Sequence, residues 1–71
     1  MFYFNDKMLV VGDFNKILLL SAEEISFDFK RYNLTVSGDK LFMPYLEDKE
    51  VGIKGIIKNI NIKYKMVKNN V

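Results

Sequence analysis

Along most of this chain apolar and polar residues alternate with a period of two, the spacing of a β-strand with one wet face. Ile25, Phe27 and Phe29 alternate with Ser26, Asp28 and Lys30, and Tyr32, Leu34 and Val36 alternate with Asn33, Thr35 and Ser37. The longest case is the last. Ile56, Ile60, Ile62, Tyr64 and Met66 fall on one side, with Lys58 interrupting it, and Ile57, Asn59, Asn61, Lys63 and Lys65 fall on the other. Leu41 and Met43 predict a shorter strand stopped by Pro44, which has no N–H to donate to a ladder. Val51 and Ile53 open the final strand, and the inward parity switches from odd to even at Gly55-Ile56. A switch of parity at a glycine predicts a bulge or sharp bend there.

Turn chemistry separates these runs. Lys30-Arg31 divides two alternating stretches, and Gly12-Asp13 ends the apolar run Met8-Leu9-Val10-Val11. Gly38-Asp39-Lys40 predicts a short turn, with the glycine free to take positive φ. Glu47-Asp48-Lys49-Glu50 predicts a charged surface loop. Ser21-Ala22-Glu23-Glu24 could cap a helix, but the run after it alternates and is rich in Phe and Ile, so a strand is expected.

One unit also recurs every seventeen residues. Ile17, Leu34 and Val51 fall in one column, Leu19, Val36 and Ile53 in the next, and Ser21, Gly38 and Gly55 close the unit with a small residue. Two all-β architectures account for this. In the favoured one the strands form a small antiparallel meander curled into a sandwich or roll, because the connections are short enough for hairpins. The alternative is a three-turn β-solenoid with like columns stacked.

At 71 residues the chain is one domain, with a family-like core over 19–64 (below) and an expected frayed tail at 67–71. Its 49% apolar content, six Phe and four Tyr argue against disorder. No cysteine or histidine is present, which excludes disulfides, a Cys-His zinc site and the commonest general base. The carboxylates Glu23, Glu24, Asp28, Asp39, Glu47, Asp48 and Glu50 sit mostly in turns beside lysines, with no apolar wall to raise a pKa. The glycines match neither a Walker loop nor a dinucleotide fingerprint. The expectation is therefore a protein that is not an enzyme and uses no cofactor or metal. No apolar run approaches the roughly 20 residues of a membrane span, and the aromatic start does not read as a signal peptide. The chain reads as soluble.

Eleven basic and nine acidic residues leave a net charge of +2, too balanced to imply nucleic acid by itself. Lysines do collect late in the chain. Lys58, Lys63, Lys65 and Lys68 are candidate contacts to an anionic surface. More telling is a surplus of apolar residues. Ile17-Leu18-Leu19-Leu20 and Leu41-Phe42-Met43 are apolar on both faces, and Tyr45 follows Pro44. A domain this small struggles to cover both faces from within, so Leu18, Leu20, Phe42 and Tyr45 are the candidate protein interface.

From Leu19 to Tyr64, about two-thirds of the chain, the order of units resembles the YabP/YqfC family of sporulation proteins. The residues that carry the resemblance are Glu23-Glu24-Ile25-Ser26-Phe27, then Leu34-Thr35-Val36-Ser37-Gly38-Asp39-Lys40-Leu41, then Glu50-Val51-Gly52-Ile53-Lys54-Gly55-Ile56-Ile57, closing on Ile60 and Tyr64. Relatives often carry a glycine just before the second unit, where Arg31-Tyr32-Asn33 stands here. Phe2-Tyr3-Phe4 has no counterpart in the pattern. The resemblance implies a soluble factor of the mother cell in endospore-forming bacteria, peripheral at the forespore membrane. It implies a protein partner, an integral membrane sporulation protein, and offers no catalytic residue. The alternatives are a β module that self-associates into a homo-oligomer, or a lysine-rich binder of nucleic acid or anionic surfaces, of which the nucleic acid is disfavoured.

Overall fold

The turns set the topology. The computed structural model describes residues 1–66 and contains six strands: β1 (Phe2–Asn5), β2 (Met8–Gly12), β3 (Lys16–Leu20), β4 (Glu24–Asp28), β5 (Tyr32–Leu46) and β6 (Glu50–Tyr64). The expected tail at 67–71 lies outside the described residues. All pairings are antiparallel, in one sheet of order β1-β2-β6-β5-β4-β3. β3 to β6 form a meander, and the β1–β2 hairpin returns against the start of β6. Antiparallel neighbours overturn the solenoid, which needs like columns stacked in parallel.

The one connection that is not between neighbours forces the sheet to curl. β2 and β3 are separated by β6, β5 and β4. In a flat sheet those four spacings would span about 19 Å. The four Cα steps from Gly12 to Lys16 reach only about 14 Å. The linker therefore crosses the mouth of a roll. The Asp13 N–H donates to the Lys49 carbonyl at 2.8 Å on one side, and the Asn15 N–H to the Asp28 carbonyl at 2.7 Å on the other. Between them Phe14 drops into the core, its ring centroid 5.1 Å from that of Phe27. Asp13 takes positive φ (63°), a conformation that Asp tolerates better than most residues.

The two long strands bend where the register slips. Asp39 faces Ile56 and Phe42 faces Lys54, so β5 carries an extra residue here, and Lys40 takes φ 55°. A second extra residue lies between Phe42 and Tyr45, at Pro44. Gly38 and Gly55 let the backbones touch at the bend. A Cβ on Gly38 would run into the Ile56 carbonyl, and one on Gly55, at φ 125°, would lie 2.5 Å from the Lys40 carbonyl oxygen. Three expectations are corrected at this bend. Gly38-Asp39-Lys40 is not a hairpin turn but the middle of β5. Pro44 does not end its strand, because it sits at a slip on a stretch whose other side is free. The parity switch lies at Lys58, not Gly55. Ser37 faces Asn59 while Gly38 faces Ile57, so Lys58 is the bulged residue. Ile57, not Ile56, therefore shares the inner side with Ile60.

One core fills the roll. Leu9, Val11, Phe14, Ile25, Phe27, Phe29, Leu34, Val36, Leu41, Val51 and Ile53 form a single buried cluster drawn from both halves of the bent strands. Val10 is buried on the opposite, outer side, where it faces Gly52. A Cβ on Gly52 would lie 2.6 Å from Met8 Sδ and Tyr45 Cε1, so these two side chains cover the glycine directly. No helix among the described residues is long and apolar enough to cross a membrane.

Candidate functional site

The roll does not close, and its open edges carry the candidate site. β3 ends the sheet and pairs with β4 alone. Among the described residues, β6 beyond residue 53 pairs only with β5. Beyond residue 37, β5 pairs with β6, and on its other side donates its Gly38 and Leu41 N–H groups to the Glu23 and Ala22 carbonyls of the β3–β4 turn. The β3 edge and the far part of β6 present backbone groups with no described strand beside them. A free edge of this kind is a template for another strand.

The β3 edge is also apolar. Lys16 faces Asp28, Ile17 faces Phe27, then Leu19 faces Ser26 and Leu20 faces Ile25, which makes Leu18 the bulged residue. Ile17 and Leu20 share the core side with their partners, and Leu19 turns outward. The seventeen-residue columns had placed Leu19 with the buried Val36 and Ile53. The bulge moves it, and it is 44% exposed. Leu18 and Leu20 are 47% and 56% exposed, so neither is spent on the core.

The interface expected from Leu18, Leu20, Phe42 and Tyr45 is only partly assembled. Phe42 is 55% exposed but pairs with Lys54 on the outer side, opposite to Leu20. Tyr45 is half-buried over Gly52, and its hydroxyl donates to Glu50 Oε2 at 2.7 Å. That hydrogen bond, then burial, push the Tyr45 phenol up to about 12. Tyr45 thus serves the outer packing layer. Leu46, not singled out in the sequence, and Ile56, read there as inward, are as exposed as Phe42.

The four candidate lysines also separate. Lys58 occupies the β6 bulge and is exposed. Lys63 is exposed on the outer side, beside Asn33, whose Oδ1 is buried with no hydrogen-bond partner among the described residues. Lys65 is engaged within the chain: its Nζ donates to Asp28 Oδ1 at 2.7 Å and to the Phe29 carbonyl at 2.6 Å. The Lys65 bond, followed by one from Asn15, holds the Asp28 carboxyl below its ordinary range. Lys68 lies outside the described residues.

What the sequence reading missed is the company Lys65 keeps. Its N–H donates to the Arg31 carbonyl at 3.0 Å, which brings the end of β6 against the β4–β5 turn. Lys30, Arg31, Tyr64 and Lys65 line an open groove of about 350 Å³. Behind it Phe29 stacks on Tyr32 at 4.7 Å, and Tyr32 meets Tyr64 at 5.8 Å. Lys30 and Arg31 had been read only as turn residues. The signal that could have found them is the register Tyr32 to Tyr64, which follows once residues 32–37 and 59–64 are recognised as a hairpin pair.

Among the described residues no group of three or more acidic side chains is placed to hold a metal ion. No family model, curated protein or solved structure matches the chain.

Proposed function

We propose that this chain is a non-enzymatic protein-contact module of YabP/YqfC sporulation type. It acts as an adaptor or assembly factor in the mother cell, beside a membrane protein partner at the forespore. The observation that carries the contact reading is the exposed run Leu18, Leu19 and Leu20 on a strand whose outer edge is unpaired. Exposed apolar side chains next to free backbone groups fit strand addition by another chain. The sporulation setting rests on the ordered units quoted above, several of whose residues (Leu34, Val36, Gly38, Val51, Ile53, Gly55) build the core and the bend.

Cross-linking tests the reading. A photoreactive residue replaces Leu19, Phe42 or, as control, the loop residue Asp48, in the full chain expressed in an endospore-forming bacterium. The expected result is a cross-link from Leu19 or Phe42 to a different protein, seen only in sporulating cells and absent from the Asp48 variant. Light scattering on a sizing column, at low and high salt, separates the self-assembly alternative. A stable oligomer in both salts, with cross-links only between copies, would replace the adaptor by a homo-oligomeric module. No cross-link beyond the control overturns both.

A further inference from the structure

We propose that the free edge of β6 over residues 57–64 receives an extended acidic segment of a partner protein, added as an antiparallel strand. This rests on the protein-contact reading above and deepens it, by naming one edge and the chemistry it selects. The edge has three properties. It is open, because among the described residues no strand other than β5 pairs with this part of β6. Its two sides differ: Ile60, Ile62 and Tyr64 lie on the inner side, and Asn59, Asn61 and Lys63 on the outer. Its charge has one sign. From Val51 onward the chain has no Asp or Glu, and Lys58 and Lys63 stand exposed along the edge.

The occupant follows from these properties. Its apolar side chains would extend the inner side next to Ile60 and Ile62, and its carboxylates would face Lys58 and Lys63. An antiparallel strand begins opposite Tyr64, the β6 residue that lines the groove with Lys30, Arg31 and Lys65, so the start of the strand lies in the field of these cations. A second copy fits this edge poorly. Pairing β6 with itself about Asn61 sets Lys63 opposite Asn59 and Lys58 opposite Tyr64, so four lysines would share one short ladder with no acid to offset them, and this accumulation of one charge opposes the pairing. The β3 edge is apolar enough for either occupant, and nothing in its charge selects one.

Fluorescence anisotropy of the full chain tests the proposal, with a labelled peptide of about eight alternating valine and glutamate residues, the length of the edge. Saturable binding is expected, weaker by about tenfold or more at high salt or in the Lys58→Glu/Lys63→Glu variant. The same peptide with lysine for glutamate should not bind, nor should one whose backbone is N-methylated and cannot form a ladder. Equal binding of the lysine peptide, equal binding of the methylated peptide, or no binding at all overturns the proposal. Should the double variant misfold, the two peptide comparisons still decide. Failure here with the Leu19 cross-link intact would remove this edge and leave the adaptor reading standing.

Discussion

The bend divides the molecule into two halves that solve different packing problems. In one, β2 crosses the start of β6, and Leu9, Val10, Val11, Gly12, Val51, Gly52 and Ile53 are all buried, inner and outer sides alike. In the other, β4 and the first part of β5 bury only the inner side, and on the last part of β6 even the inner Ile62 and Tyr64 are exposed. Their outer side is polar: Ser26 faces Thr35, which faces Asn61, and Ser37 faces Asn59. The first half covers its outer side from within, by laying Tyr45 and Met8 over a glycine. The second leaves its outer side to water and one edge of its last strand unpaired among the described residues. A roll this small closes one half only, because no helix or second sheet among the described residues covers the other.

The largest effect should come from the bend that holds the halves together. Gly38→Ala drives a methyl into the Ile56 backbone, which cannot swing aside, and should cost about 3 kcal/mol or more, enough to unfold a marginal domain. Gly12→Ala is the matched control. Its Cβ would meet the flexible end of Met1, so a loss of less than about 1 kcal/mol is expected. Urea titrations of both variants check this, and equal losses would show that the bend is not rigid. Next in size is the contrast of outer sides. Val10→Ala should cost about 2 kcal/mol, because Val10 is buried beneath the outer layer. Thr35→Val breaks a half-buried hydroxyl pair with Ser26 at 3.1 Å and should cost under about 1 kcal/mol. If the two losses come out alike, the outer sides do not differ as argued.

The same division explains what the sequence disclosed. Alternation was legible in Ile25-Phe27 and Leu34-Val36, where one side is wet. Their inner residues are fully buried as expected. It was also legible that Leu18, Leu20 and Phe42 exceed what one core can hold. At the bend, sequence reasoning failed for a local reason. Extra residues at Lys40, Pro44, Leu18 and Lys58 flip the faces without interrupting the pairing, so Gly38 looked like a turn and Ile56 looked inward. Lys58 within an apolar column was the visible trace of a bulge, and was read as an interruption only. Tyr45 was misjudged because a strand pattern does not show that the residue opposite is a glycine needing cover. The cationic groove needed the long-range register, which no local motif encodes.

The smallest effect belongs to the clamp that joins the end of β6 to β4. Asp28 accepts from Lys65 and from Asn15, and these bonds favour its charged form. Its pKa in the folded chain is therefore below the ordinary value of 3.8. A depressed carboxyl pKa contributes stability that is present above the unfolded value and lost as pH falls through the folded one. Thermal melts of the native chain and of Asp28→Asn should thus differ slightly at neutral pH and converge below about pH 4. The gap should also shrink with salt, because the pair is near the surface. A gap independent of pH would mean that Asp28 acts through packing alone. The substitution also removes the carboxylate that engages Lys65, one of the residues lining the groove, so the valine-glutamate peptide should bind more tightly even as the fold loosens. Stability and affinity moving in opposite directions would identify the clamp as a competitor for Lys65. A loss of both would mean that the groove needs Asp28 to hold its shape.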